Sequence, residues 1–259
     1  MTDVRRGVVA VSLMLLWWVV TYGFGSIPFP ELQPGWFPNL GTVITNLLSL
    51  GAVWAAAALF SRAGWLGDTG LQVLAGWRGG EARMLWAGAP VLLIALGYLW
   101  LGREGVPGVQ GDGGVMISLA IGMLALGVSE ETGSRGLPLG AVASTGAIWR
   151  AVLVTSVLFG LWHLGNGVFF GSSPDETWWQ VLSATTFGVC FARLRLFVGS
   201  IWPGVVLHAL GNWTQLITPG AAPLWYQIAV MAFEMGWGVL LVALWVRRRA
   251  SARPVSPGA

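Results

Sequence analysis

The sequence predicts an all-α polytopic membrane protein, about eight transmembrane helices in one bundle. Of its 259 residues, 55% are hydrophobic and only 10% charged, where about a quarter charged is usual for a soluble domain. Apolar runs of about 17 to 25 residues, long enough to cross about 30 Å of hydrocarbon, recur from end to end, and the mean hydropathy is +0.70. The third observation is the distribution of arginine, which gathers on alternate connections between these runs.

The first run, 7–24, follows Arg5 and Arg6. It is similar to a signal peptide, but no clear small-x-small cleavage site follows, so it is read as a membrane span. The second run is 42–60. Residues 62–83 form the one sizeable cytoplasmic loop, carrying Arg62, Arg78 and Arg83, with a short interfacial helix expected at Leu71–Trp77. The remaining runs lie at 84–102, 114–135, 148–168, 178–197, 199–216 and 224–246. Arg150 falls between the fourth and fifth, Arg193 and Arg195 flank the sixth-to-seventh turn, and Arg247, Arg248, Arg249 and Arg253 follow the last. The opposite connections hold only Arg103 among acidic residues. The pattern predicts an integral protein of the cell (plasma) membrane with both termini cytoplasmic. Residues 1–249 form one bundle, with a motif core at 114–216, and 250–259 form a disordered tail.

The excess of 14 basic over 11 acidic residues gives +3, and all 14 are arginines set singly or in short groups between apolar runs. No basic face with interleaved aromatics appears, which excludes a nucleic-acid binder. Trp36, Trp100, Trp149, Trp178, Trp179, Trp225 and Trp245 stand near run ends, as interfacial belts do. Gly122, Gly127, Gly160, Gly188 and Gly204 let helices approach closely. The single Cys190 excludes an internal disulfide and is read as a small buried hydrophobe.

Chemistry is concentrated in the fourth, fifth and seventh runs. Glu130 and Glu131 stand together in an apolar stretch, where desolvating a carboxylate costs several kcal/mol. Arg135 lies four residues beyond Glu131, His163 four beyond Phe159, and Asn212 four beyond His208. Each pair shares a helix face. Lipid solvates none of these groups, so the three faces are expected to converge on an internal cavity. Such a set supplies a base or metal site, a second proton carrier and oxyanion donors for hydrolysing an amide. Asn166 either reaches the cavity or caps the helix end before Gly167, and Phe159 orients His163 by packing. Glu234, without an adjacent basic partner, is assigned a structural role. Depth adds a constraint: His163 lies about 20 Å beyond Arg150 at 1.5 Å per residue. Glu130 matches that depth only if the fourth helical path continues past Arg135, bent at Gly133 or Pro138, to about Thr145.

The series Glu130-Glu131-x-x-x-Arg135-Gly136, Phe159-x-x-x-His163 and His208-x-x-x-Asn212 resembles the signature of the CAAX protease and bacteriocin-processing (abortive infection type) intramembrane endopeptidases. The resemblance implies that Glu130 and His163 activate water, that His208 and Asn212 bind the oxyanion, and that Glu131 and Arg135 hold the arrangement. A water-activating divalent metal such as Zn is compatible with two Glu and two His but not required, and there is no HExxH. The implied substrate is a peptide or lipidated protein, met at membrane lipid, admitted from the cytoplasmic side or laterally between helices. The alternative reading is a non-proteolytic carrier or scaffold whose Glu/His cluster binds protons or a cation. No inverted repeat accompanies it.

Overall fold

The computed structural model describes residues 3–27, 40–60, 81–101, 108–143 and 148–251. These residues are all helical apart from short turns. The helices are α1 (Asp3–Gly25), α2 (Leu40–Phe60), α3 (Glu81–Leu101), α4 (Gly113–Glu131), α5 (Leu137–Ala143), α6 (Ile148–Trp162), α7 (Leu164–Phe170), α8 (Pro174–Val198), α9 (Trp202–Ile217) and α10 (Leu224–Ser251). The interfacial helix expected at Leu71–Trp77, Thr145 and all but the first two residues of the expected tail lie outside the described residues.

Each of the eight expected runs is helical, with differences that have local causes. Among the described residues, six stretches are long and apolar enough to span a bilayer: Gly7–Gly25, Arg83–Leu101, Gly113–Ala143, Ile148–Phe170, Pro174–Val198 and Leu224–Trp245. The protein is thus an integral membrane protein. The apolar stretch Leu40–Ala52 of α2 is shorter, and α9 has 16 residues, about 24 Å at the usual rise. α9 does not need to reach both faces, because it packs inside the bundle against α3 and α4. α8 begins four residues earlier than expected. Ser173 caps it in a reciprocal capping box with Glu176, and Pro174 occupies the first turn.

The fourth path continues past Arg135 as the depth argument requires. Where a bend was expected at Gly133 or Pro138, the path runs through a π-helical turn, Thr132–Gly136, which includes Gly133 and in which the Leu137 N–H donates to the Thr132 carbonyl five residues back. α5 follows directly, and its residues Leu137–Ala141 are buried. Trp17 of α1 braces this turn. Its Nε1 donates to Ser129 Oγ at 3.1 Å, its ring stacks on Trp162 at 4.5 Å, and it lies so close to Gly133 that an added Cβ would stand 2.6 Å from the indole. A core of Leu13, Met14, Trp17, Leu137, Phe159 and Trp162 ties α1 to α5 and α6.

Glycine sets the distance between the helices that carry the polar pairs. A Cβ on Gly127 of α4 would meet the Val205 carbonyl oxygen of α9 at 2.9 Å, and one on Gly204 would meet Glu131 Oε2 at 3.2 Å. Gly160 lies as tightly against Val181 and Thr185, and Gly188 against Ser156, which seats α6 on α8. Cys190 is fully buried in the cluster of Phe191, Leu194, Leu207 and Leu241. Trp100, Trp149, Trp178 and Trp225 are exposed, as interfacial residues would be. Arg193 and Arg195 lie near the end of α8, Arg195 in its last turn before the connection to α9, and both are buried, with Arg193 stacked over the Trp149 ring at 3.9 Å. The turn itself is Gly199–Ile201, after Gly199 ends α8 in the left-handed conformation at φ 88°.

Candidate active site

The break between α6 and α7 is what presents His163. Its N–H bonds to the Gly160 carbonyl, three residues back, which leaves the Phe159 carbonyl without its helical donor. The His163 ring fills that role: Nδ1 lies 3.0 Å from Phe159 O. A carbonyl only accepts, so Nδ1 carries the proton and Nε2 keeps its lone pair. The rings of Phe159 and Trp162 stand edge-on to the imidazole at 5.1 and 4.8 Å and fix its plane. Phe159 thus orients His163 by backbone and ring together.

Across the cavity wall, Glu131 is the hub. Its Oε1 accepts from Arg135 Nη1 at 3.0 Å and lies 2.9 Å from His208 Nδ1. Because Glu131 is held by the guanidinium as an acceptor, His208 Nδ1 is the donor. Arg135 also donates to Ser134 Oγ at 2.8 Å, whose hydroxyl donates to the Glu130 carbonyl. Its guanidinium lies 3.8 Å from the Phe159 ring centre, a desolvated cation–π contact. The His208 Nε2 then faces Glu130 Oε2 at 3.5 Å, while the Phe187 ring covers one side of the imidazole at 4.5 Å.

Of the six residues singled out, Glu130, His163, His208 and Asn212 line a single cavity of about 870 Å³. Glu131 and Arg135 stand behind it, 1% exposed each. Glu130 and His163 make no direct ion pair, so their facing atoms are left to whatever occupies the cavity. From this polar floor the wall runs to one end of the bundle. It takes in Gly25 at the end of α1 and Ile27 just after it, Gly41 at the start of α2, Phe170 at the end of α7, Trp179 near the start of α8 and Gln227 near the start of α10.

Among the described residues no three His, Cys, Asp or Glu side chains are grouped so as to hold a metal ion. Each imidazole commits Nδ1, His208 to Glu131 and His163 to Phe159, and keeps Nε2 toward the cavity.

Several wall residues were not legible as site residues. Asn166 does reach the cavity, and its carboxamide joins the Tyr22 hydroxyl, 3.2 Å, to Gln180 Oε1, 2.7 Å. Tyr22 also donates to the Trp162 carbonyl at 2.8 Å, pinning the segment that carries His163. These partners lie 14 to 144 residues apart in the chain, beyond any local pattern. Glu234 of α10 faces the cavity, with Oε2 accepting from Thr186 Oγ1 at 2.9 Å. Its only signal was an acidic residue within an apolar run.

Residues 112–214 match the family model described as type II CAAX prenyl endopeptidase Rce1-like. No curated protein matches the chain.

Proposed function

Since residues 112–214 are a domain of the Rce1-like type II CAAX prenyl endopeptidase family, which makes the chain a peptide hydrolase, we propose a reaction carried by the cavity floor. Water held between Glu130 and His163 Nε2 loses a proton to Glu130 as its oxygen adds to the scissile carbonyl carbon. The oxyanion that forms is met by the Asn212 carboxamide N–H and by His208 Nε2–H. His208 offers that donor only when doubly protonated, since its Nδ1–H is given to Glu131. Collapse of the tetrahedral species breaks the C–N bond, and Glu130 returns the proton to the departing amine. Glu131 and Arg135 touch no substrate and act as positioning residues. The observation that carries this reading is the convergence of Glu130 of α4, His163 at the α6–α7 break, and His208 and Asn212 of α9 on one cavity floor. That floor is shielded from bulk water, where such donors act most strongly.

The substrate is a peptide bond of a membrane-associated or lipidated protein, CAAX processing being the family's type. The protein resides in the cell membrane with both termini cytoplasmic, and residues 1–249 act as one bundle. In that orientation the cavity wall rises toward the arginine-poor face, so the peptide arrives from that face or laterally between helices rather than from the cytoplasmic side. The support is that Gly25, Phe170 and Gln227, at that end of their helices, belong to the wall.

The test is cleavage of a peptide library by purified protein and by Glu130→Gln and His208→Ala. Each variant should lose on the order of a hundredfold or more, since a general base contributes about 10² to 10⁴ and an oxyanion donor about 10² to 10³. Full-rate cleavage by either variant refutes its assigned role. Transport of a proton or cation by protein that cleaves nothing would replace the hydrolase with a carrier.

A further inference from the structure

We propose that Glu234 forms a cation subsite that selects peptides with a lysine or arginine beside the scissile bond. The inference rests on the hydrolase reading and adds its substrate class.

Among the described residues the cavity wall contains two carboxylates, Glu130 and Glu234, and no lysine or arginine. Glu130 has His208 within 3.5 Å, and the one guanidinium near the floor, Arg135, is committed to Glu131. Glu234 has no such partner. It is 8% exposed, and its one donor among the described residues is the Thr186 hydroxyl, whose Oγ1 lies 2.9 Å from Glu234 Oε2 and also 2.9 Å from the Ser183 carbonyl oxygen, so that its single proton is shared between two acceptors. A carboxylate has room for about four hydrogen bonds, so the cavity-facing side of this group is under-supplied with donors.

Gln227, two turns back on the same face of α10, accepts from Trp179 Nε1 at 2.7 Å and donates to the Ala222 carbonyl at 2.7 Å. A buried carboxyl ionises only where an opposite charge or several donors hold it, and an incoming ammonium or guanidinium supplies both. The aromatic rings of Tyr98 and Trp179 share the same wall and suit the stem and head of such a side chain. The subsite shares its cavity with the chemistry, since Glu234, Glu130, His163 and His208 all belong to the same wall. A peptide spanning the floor therefore brings a flanking side chain to Glu234.

The test uses purified full-length protein and paired fluorogenic peptides that differ only in lysine or norleucine, scanned across positions on both sides of the cleaved bond. At one position lysine should raise kcat/KM about 10- to 100-fold, the worth of a hydrogen bond to a charged group. Glu234→Gln should bring that ratio to about one. Absence of any lysine preference in the unaltered protein overturns the inference, as does an equal preference in Glu234→Gln. Binding of the same pairs to Glu130→Gln separates the two readings. If the unaltered protein cleaves neither peptide but lysine peptides bind Glu130→Gln about tenfold tighter through Glu234, the cation subsite stands and the hydrolase reading falls. Equal binding of both peptides in that background removes the subsite.

Discussion

Glu131→Gln removes one negative charge from a site where Glu131 and Arg135 are each 1% exposed and 3.0 Å apart. With an effective dielectric of about 20, the lost attraction at that separation is about 5 kcal/mol. Breaking one side of a buried pair costs about 3 to 5 kcal/mol in practice, because the remaining charge is left uncompensated. Gln still offers an acceptor to Arg135 and His208, which places this change toward the lower figure. At about 2 to 4 °C per kcal/mol for a chain of this size, the midpoint of thermal unfolding in detergent should fall by about 6 to 12 °C. Glu131→Leu combined with Arg135→Met leaves no orphaned guanidinium and should lose less than the two single variants summed, by at least about 1 kcal/mol. Unfolding of Glu131→Gln within about 2 °C of the unaltered protein, the range of a neutral surface change, would refute the hub assignment. Strict additivity of the two single variants would refute it equally.

Arg135→Lys keeps the charge but loses the planar contact with Phe159 and the paired donors to Glu131 and Ser134. Cleavage should fall more than about tenfold while the protein stays folded, since a point charge does not replace a stacked fork; an unchanged rate would show that charge alone suffices. Gly127→Val drives a side chain into the Val205 carbonyl, pushing α9 and His208 away from Glu131. Loss of about 1 to 3 kcal/mol of stability is expected from the overpacking, and a stable, fully active variant would mean that the α4–α9 spacing does not set the site. Because no three ligands converge among the described residues, preincubation with a chelator should leave the initial cleavage rate unchanged. Inactivation reversed by added zinc would overturn that geometry.

Much was fixed by composition and spacing alone. Lipid cannot solvate a carboxylate, an imidazole or a guanidinium, so their presence in apolar runs forces them inward and toward one another. That requirement, together with helix rise, made the helical continuation past Arg135 legible before any coordinates. The same one-dimensional pattern gave the close glycines Gly127 and Gly204 a purpose without naming their neighbours. Only the tertiary structure decided which nitrogen of each histidine is free. That choice depends on the π turn at Thr132–Gly136 and the break at His163, where one displaced backbone hydrogen bond redirects a ring. The sequence carries no periodic trace of either, because a single inserted or skipped bond leaves the apolar pattern on both sides intact. The packing of α8 against α10 likewise set Glu234 facing the cavity, with Thr186, 48 residues away in the chain, its one donor. A run of apolar residues records that an acid is buried, but not what it faces.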